Sequence, residues 1–251
     1  REELGAPYTR GDCIVIPDKV ALKLITALRD ADATVIKNVE ALGTLVVHET
    51  VHVWTRNHPI ERDALYREIG FNRIEPVTLH PSIEKIRLTN PDGPGWEHAI
   101  TVRDPAGEEC NAILLLTSRA PEFQKGYAGV IPVLSFHLYP VTAGAKPTLK
   151  LDENGTVVRW RPDSTAGFMD QVGRNTGYII HPDEVLAENI AQLAYPLSRV
   201  ATPDLLSRIA LHVGGYRPSS GEKGGVGKGE TEKGGKPEGK PEPASHGGGD
   251  R

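Results

Sequence analysis

The chain has 251 residues, of which 38% are hydrophobic and 25% are charged, and its formal net charge is −4. A slightly acidic chain lacks the excess of Lys and Arg that is typical of proteins that bind nucleic acid, so we expect no nucleic-acid partner. No apolar run approaches the roughly 20 residues needed to span a bilayer, so we expect no membrane insertion.

The first part of the chain predicts one strand and three helices. Residues 12–17 (DCIVIP) are apolar and β-branched, as in a short strand that ends at a proline. Apolar positions recur at helical spacing over 18–29, 39–57 and 60–69. The centre of 39–57 is strongly apolar, which predicts a helix that is buried on most sides.

The middle of the chain is predicted to be β-rich. Its strand candidates are 97–102, 111–118 and 133–141, which are rich in apolar and β-branched residues. Residues 148–160 alternate around an Asn-Gly pair at 154–155, and this pair favours a tight hairpin turn.

Helices are predicted again at about 181–195 and 202–213, each with a proline in its first turn. This order of elements predicts one α+β domain over residues 1–213. Residues 214–251 are mainly Gly, Lys, Glu and Pro. They cannot bury enough apolar surface to offset the entropy of ordering, so we expect a disordered tail.

The two cysteines, Cys13 and Cys110, both adjoin apolar runs. They are interpreted as buried free thiols on strands, with a disulfide formed in an oxidising compartment as the alternative. Their spacing does not match a zinc ribbon.

Residues 48–52 read HETVH, which matches the H-E-x-x-H pattern, in the middle of the predicted helix 39–57. Residues four apart lie on one face of a helix, so His48 and His52 can bind one zinc ion. Glu49 projects beside that face, where its carboxylate can take a proton from a zinc-bound water. Burying such polar groups in an apolar helix is costly without a purpose, which favours a Zn²⁺ site with Glu49 as general base.

A catalytic zinc usually takes a third protein ligand, and the sequence offers two candidates. His58 has the spacing of the metzincin pattern, but Thr55 replaces the glycine of that pattern. Glu184 lies in the first turn of the predicted helix 181–195, where a carboxylate is favoured. Glu188 follows one turn later on the same face, where it can orient a ligating imidazole. We favour Glu184 over His58.

The HETVH motif followed by E-x-x-x-E on a later helix resembles the gluzincin pattern of zinc metallopeptidases, H-E-x-x-H … E-x-x-x-D. The segment 175–189 (NTGYIIHPDEVLAEN) is similar to bacterial proteins of this type, and the likeness covers roughly residues 7–213. The resemblance implies a zincin-like fold in which His48, His52 and Glu184 hold the zinc.

Two features depart from the gluzincin pattern. Glu188 stands where the family usually has Asp, and the gap between His52 and Glu184 is longer than in thermolysin-like enzymes. Gluzincins commonly use a Tyr or His to hydrogen-bond the oxyanion, and Tyr178 and His181 are the candidates in this chain. The alternative interpretations are a core aromatic for Tyr178 and a helix cap for His181.

These motifs predict a zinc-dependent hydrolase, more specifically a metallopeptidase in which Glu49 activates a zinc-bound water to cleave a peptide bond. A peptide or protein substrate is favoured by strand 13–17, which as a sheet edge beside the zinc helix would offer backbone groups to an extended peptide. The alternatives are zinc hydrolysis of a non-peptide amide or ester, and a catalytically silent, zinc-stabilised binding module. The intact Glu49 argues against the module, because a purely structural site needs no general base.

The predicted tail can be tested by truncation. A chain that ends at Val213 should melt within about 2 °C of the full chain and bind the same amount of zinc, because residues 214–251 contain no apolar set to pack. Calorimetry and metal analysis of the two chains measure this. A larger fall in melting temperature, or a loss of zinc, would show that the tail packs against the domain.

Overall fold

The computed structural model of the protein describes residues 7–29, 33–93, 95–120, 133–196 and 200–214. All of these lie in the first of two compact units of the chain, Arg1–Pro218. The second unit, Ser219–Arg251, lies outside the described residues, as does the predicted tail beyond Gly214.

The described part of the chain combines helices with antiparallel sheet, in agreement with the predicted α+β class. The helices are α1 (Asp18–Arg29), α2 (Ala33–Asn57), α3 (Pro59–Glu68), α4 (Pro81–Glu84), α5 (Phe168–Val172), α6 (Pro182–Ala194) and α7 (Pro203–His212). The strands are β1 (Tyr8–Arg10), β2 (Cys13–Val15), β3 (Phe71–Arg73), β4 (His98–Arg103), β5 (Glu109–Ser118) and β6 (Leu134–Pro140).

Strands β3 to β6 form one antiparallel sheet in the order β3-β4-β5-β6, and β1 and β2 form a separate two-stranded hairpin. The register of the large sheet places Leu138 opposite Leu114 and Ala112 opposite Ile100. Successive residues of β5 are buried, which shows that both faces of the sheet are covered. This explains why its sequence is a continuous apolar run rather than an alternating one.

Each face of the sheet has its own hydrophobic core. The first face packs against helices α2, α3, α5, α6 and α7, and its buried residues include Val51, Leu65, Tyr66, Phe71, Ile100, Leu114, Leu138, Phe168, Leu186 and Leu205. The second face packs against α4 and the segment after β6, through Val77, Ile83, Ala99, Ile113, Leu115, Tyr139, Val141, Leu149 and Val157. The helical layer on the first face is the one that carries the HETVH motif.

The predicted elements agree with the structure where periodicity or apolar runs are long. The strands expected at 97–102, 111–118 and 133–141 are β4, β5 and β6, and the helices expected at the start and end of the chain are also present. Helix α2 begins at Ala33, earlier than the predicted residue 39. Strands β1 and β3 and helices α4 and α5 were not predicted, because elements of three to five residues are too short to show a period.

The predicted hairpin at 148–160 is present in a reduced form. Its tight turn is formed: the carboxylate of Asp152 accepts hydrogen bonds from the backbone of Asn154 and Thr156, and Gly155 adopts a φ of 76°. The flanking residues pair only through isolated bridges, such as Leu151 with Val157. The turn is determined by residues that are close in sequence, whereas the extent of strand pairing depends on contacts with the neighbouring sheet.

Both cysteines are free thiols and lie on strands, as predicted, so the alternative of a disulfide is not formed. The expectation of burial is wrong for Cys13, which is exposed on β2, whereas Cys110 on β5 is half-buried. Cys13 begins strand β2, where it is exposed, whereas the following Ile14 and Val15 are half-buried.

None of the helices in the described part of the chain is both long enough and apolar enough to cross a bilayer.

The two-sided core predicts a large cost for truncating a central residue. Leu138 is fully buried between the sheet and the helical layer. Leu138→Ala should lower the free energy of unfolding by about 2–5 kcal/mol, the range for a buried leucine that leaves a cavity. Leu211→Ala is the matched control, since Leu211 is 73% exposed and should change stability by less than about 0.5 kcal/mol. Urea unfolding of both variants measures the difference, and similar values would contradict the assignment of Leu138 to the core.

Candidate metal centre

The HETVH motif lies in the second half of helix α2, as predicted. The rings of His48 and His52 lie on one helix face, with centroids 4.7 Å apart and planes at 81°. The side chain of His52 is 1% exposed and that of His48 is 12% exposed. Two imidazoles are thus held side by side, largely out of water, on the face that packs against α6.

Helix α6 presents its N-terminus to these two histidines. Pro182 occupies the first turn, and the Nδ1 atom of His181 accepts a hydrogen bond from the backbone N–H of Asp183 as a helix cap, at 3.1 Å. Asp183 and Glu184 follow in the first turn and are 0% and 2% exposed. The positive end of the helix dipole helps to compensate for burying two adjacent carboxylates.

The carboxylate of Glu184 meets both imidazoles. Its Oε2 atom lies 3.1 Å from Nε2 of His48 and 3.5 Å from Nε2 of His52. One ligand atom from each of the three residues lies within 4.8 Å of the other two, a spacing that could hold a metal ion. The structure therefore brings together the three residues that the sequence predicts as metal ligands.

The other nitrogen of each imidazole also faces a carboxylate. The Nδ1 atom of His48 lies 3.2 Å from Oε1 of Glu188, and that of His52 lies 2.6 Å from Oδ2 of Asp183. A carboxylate on Nδ1 fixes the ring so that Nε2 points towards the ligand position. Glu188 thus occupies the place predicted for it, one turn after Glu184.

Asp183 is a contact that the sequence analysis missed. Besides His52, its carboxylate accepts hydrogen bonds from the hydroxyl of Tyr66 at 2.8 Å and from Oγ1 of Thr55 at 3.1 Å. Tyr66 is fully buried on α3, and burial followed by the charge of Asp183 raises its pKa well above the ordinary value, so that the hydroxyl keeps its proton. The only sequence signal for this role is that Asp183 precedes Glu184 in the same helical turn.

The two imidazoles and the carboxylates around them strongly shift one another's pKa values. Burial lowers the pKa of His48, but hydrogen bonds to Glu184 and Glu188 outweigh it and raise the value to about 9. For His52, the hydrogen bond to Asp183 and the nearby negative charge of Glu184 outweigh burial in the same way and raise the pKa to about 10. Burial raises the pKa of Glu184, but its contacts with the two histidines lower it far below the ordinary range.

The raised pKa values favour an extra proton on each imidazole when no metal ion is bound. One divalent cation in place of these two protons would leave the total charge of the cluster unchanged. The Nε2 atom of His52 is also buried with no hydrogen-bond partner in the described part of the chain. An orphaned imidazole nitrogen, a second imidazole and a buried carboxylate form a donor set that fits zinc.

Glu49 lies beside this cluster and does not belong to the His48–His52–Glu184 group. Its side chain is 4% exposed, and its Oε2 atom has no hydrogen-bond partner among the described residues. Burial and the negative charge of Asp92 raise its pKa to about 7. A bound cation would lower this value again by Coulomb attraction.

Asp92 is a second carboxylate that the sequence analysis did not single out. Together with Glu49 and His52 it forms another group whose ligand atoms lie within 4.8 Å of one another. Its Oδ1 atom accepts hydrogen bonds from the backbone N–H of Thr9 at 2.6 Å and from Oγ1 of Thr9 at 2.7 Å. The β1–β2 hairpin thus holds the carboxylate of Asp92 over the site.

The loop that carries Asp92 is bound to the metal centre at two further points. Asn90 donates a hydrogen bond from Nδ2 to Oε1 of Glu184 at 2.8 Å. Gly93 packs so closely on the ring of His181 that a side chain at this position would overlap it. The available signal was the sequence Asn-Pro-Asp-Gly at 90–93, which predicts a turn but does not indicate what the turn contacts.

Tyr178 and His181, the two predicted oxyanion donors, have different surroundings. Tyr178 is 45% exposed, and its ring centroid lies 6.4 Å from that of His48. Burial, followed by the charge of Glu184, raises its pKa above the ordinary value, so its hydroxyl keeps a proton to donate. The interpretation of Tyr178 as a core aromatic does not fit this exposure.

His181 uses both ring nitrogens in contacts that hold the backbone. Nδ1 accepts from Asp183, which leaves the proton on Nε2, and Nε2 lies 3.1 Å from the carbonyl oxygen of Gly95. No ring proton remains for a substrate in this arrangement. Of the two interpretations of His181, these contacts favour the helix cap.

His58, the alternative third ligand, belongs to neither of the two possible metal groups found among the described residues. It is exposed, its ring stacks on Trp54 at 5.0 Å, and its Nδ1 atom lies 2.9 Å from the carbonyl oxygen of Trp54. Helix α2 ends immediately before it, at Asn57, and α3 begins immediately after it. The chain at this point leads away from the cluster.

Comparison of the chain with protein-family models, with curated proteins and with solved structures finds no significant match.

The ligand set can be tested by metal analysis of variants. The full chain should bind one zinc ion, and His48→Ala and Glu184→Ala should each lose it on dialysis, because each removes one of three buried donors. His58→Ala is the control and should retain zinc, because His58 lies outside the cluster. Retention in Glu184→Ala together with loss in His58→Ala would assign the third ligand to the metzincin position instead.

Proposed function

We propose that this protein is a zinc-dependent hydrolase of the gluzincin type that cleaves peptide bonds. The observation that carries the proposal is the convergence of His48, His52 and Glu184. Beside them lies the buried carboxylate of Glu49, whose Oε2 atom has no hydrogen-bond partner among the described residues. Structural zinc sites prefer four protein ligands and are often rich in cysteine, whereas catalytic sites use three and leave a position open. The composition of this cluster fits the second kind.

His48, His52 and Glu184 would hold the zinc, with Glu188 and Asp183 fixing the two imidazole rings. Zinc at such a site supplies Lewis acidity, which lowers the pKa of a bound water and polarises a carbonyl. Proton transfer and stabilisation of the oxyanion would be provided by side chains of this chain. A buried network of carboxylates and imidazoles holds these side chains in place before any substrate arrives.

Glu49 is the group suited to move the proton. Its free carboxylate oxygen can accept a proton from an attacking water and later donate it to the leaving amine. Burial and the charge of Asp92 favour the protonated form, and zinc would favour the ionised form, so the two effects act in opposite directions on its pKa. Such opposition keeps a general base able both to take and to return a proton near neutral pH.

In the proposed reaction, Tyr178 would stabilise the negative charge that develops on the substrate carbonyl oxygen. Its hydroxyl keeps its proton because burial and the surrounding carboxylates raise its pKa. Its partial exposure on the open side of His48 leaves the hydroxyl accessible to a bound molecule. A neutral donor at this point adds hydrogen bonding without introducing another charge.

The position of the β1–β2 hairpin supports a peptide substrate. The guanidinium of Arg56, near the end of α2, donates hydrogen bonds to the carbonyl oxygen of Gly11 and to Oγ1 of Thr9. Asn57 donates to Oδ1 of Asp12 at 2.8 Å. Strand β2 therefore borders the zinc helix, and within the described residues it pairs only with β1. Its other edge offers backbone groups with which an extended peptide could pair.

The general base can be tested with a matched pair of variants. Glu49→Gln keeps the shape of the side chain but accepts no proton, so hydrolysis should fall by at least about 10²-fold while zinc stays bound. Glu61→Gln makes the same change at an exposed residue of α3 and should leave turnover unchanged. The assay incubates the zinc-loaded proteins with casein and a panel of unstructured peptides and reads the products by mass spectrometry.

The controls separate the proposed function from its rivals. Cleavage by the unmodified chain should stop when a chelator removes the zinc. If no peptide is cleaved but a small ester or amide is hydrolysed in a chelator-sensitive way, the peptidase is ruled out and the zinc hydrolase stands. If zinc binds and nothing is hydrolysed, the protein is a zinc-stabilised binding module.

A further inference from the structure

A large cavity lies at the outer edge of the sheet, against strand β6. Its volume is about 790 Å³, and four consecutive residues of β6, Leu134 to His137, form one wall. The lining also includes Arg119, Arg159 and Arg161. None of these residues belongs to the cluster of histidines and carboxylates described above.

The lining of this cavity carries an excess of positive charge. Arg161 is paired with Asp163, at 2.6 Å between Nη2 and Oδ2. In the part of the chain that the structure describes, the guanidinium groups of Arg119 and Arg159 form no ion pair. Two cationic groups in one concave site, unpaired among the described residues, favour a positive potential there, which attracts anions.

His137 shows that the three arginines act on the same region. Burial lowers its pKa, and the charges of Arg159, Arg119 and Arg161 lower it further. The imidazole is therefore neutral at neutral pH, and its Nδ1 atom lies 3.2 Å from Oγ of Ser135. A neutral imidazole and a hydroxyl add hydrogen-bonding groups to the wall between the arginines.

Two segments of chain connect the cavity to the metal centre. Gly177 and Ile179 line the cavity, and Tyr178 between them has its ring 6.4 Å from that of His48. Ile86 also lines the cavity, and four residues later Asn90 donates its hydrogen bond to Glu184. The cavity and the candidate metal site are therefore bordered by neighbouring residues of the same two segments.

We propose that this cavity is a subsite that binds a carboxylate of the substrate, so that the protein acts preferentially on peptides with an acidic group near the cleaved bond. The role of the cavity in substrate preference rests on the proposed hydrolase function. Binding of a carboxylate in the cavity does not depend on that function. Planar guanidinium groups bind carboxylates through paired hydrogen bonds. The carboxylate can come from an Asp or Glu side chain or from the C-terminus of the peptide, since both present the same chemistry.

The test measures binding of fluorescent peptides by anisotropy, with the full zinc-loaded chain carrying Glu49→Gln so that the probes stay intact. Three probes share one neutral sequence. One has a single Glu and an amidated C-terminus, one has Gln in that place and an amidated C-terminus, and one has Gln with a free C-terminus. At least one probe with a carboxylate should bind about 10-fold more tightly than the neutral probe, as for a charge-assisted hydrogen bond. Equal binding of all three would overturn the proposal.

Variants of the arginines test whether the carboxylate binds in this cavity. Arg119→Gln combined with Arg159→Gln should remove the preference for the acidic probe and leave the neutral probe unchanged. Arg119→Lys combined with Arg159→Lys should retain part of the preference, because the charge remains. Arg103→Gln is the control, as Arg103 is similarly exposed and pairs with Glu109 outside the cavity. A preference that survives the double Gln change would overturn the assignment.

The outcomes for this subsite and for the proposed function are distinguishable. If the double Gln variant does not fold, as judged by its melting curve, the single change Arg159→Gln carries the same test and should weaken binding of the acidic probe about threefold or more. If the chain binds acidic probes through the arginines but hydrolyses nothing, the subsite is supported and the hydrolase function is ruled out. If it cleaves peptides regardless of their acidic groups, the hydrolase function is supported and the subsite is ruled out.

Discussion

The arrangement of the candidate site depends on the buried contact between His52 and Asp183. A carboxylate with no exposed surface is costly unless all its hydrogen-bonding capacity is used, and Asp183 has contacts with His52, Thr55 and Tyr66. These partners come from α2 and α3, whereas Asp183 belongs to α6. One side chain therefore fixes the approach of three helices. The same approach places Glu184, the next residue, against both imidazoles of the HETVH motif.

The candidate site and the cavity next to it carry charges of opposite sign, and this separation influences which molecules can bind. Around the two imidazoles lie five carboxylates: Glu49, Asp92, Asp183, Glu184 and Glu188. Such a concentration of negative charge requires cations, either the imidazole protons or a metal ion. The neighbouring cavity has the opposite sign because of its arginines. Under the proposed function, a substrate that spans both regions would be attracted through its carbonyl group at one end and through an anionic group at the other.

The sequence predicted those elements whose signal is local and long enough to detect. Helical spacing over 18–29 and the apolar runs of β4, β5 and β6 are periodic or continuous, and each is a helix or strand in the structure. Helix α4 has the same start as α6, a histidine cap followed by proline, yet its four residues are too short to show a helical period. The exposure of Cys13 was missed because apolar neighbours in sequence do not reveal which residues of a strand other elements cover.

By itself, the sequence determined which residues could act as metal ligands. His48 and His52 share a helix face, and so do Glu184 and Glu188, because the geometry of a helix fixes the positions of side chains four residues apart. Only the tertiary structure decided that these two faces meet, that His58 lies outside the cluster and that His181 caps a helix. The tertiary structure also decided the position of Asp92, which is distant from Glu49 in sequence. A turn and the hydrogen bonds from Thr9 bring its carboxylate close to Glu49. Contacts of this kind depend on the packing of whole elements, and no spacing along the chain encodes them.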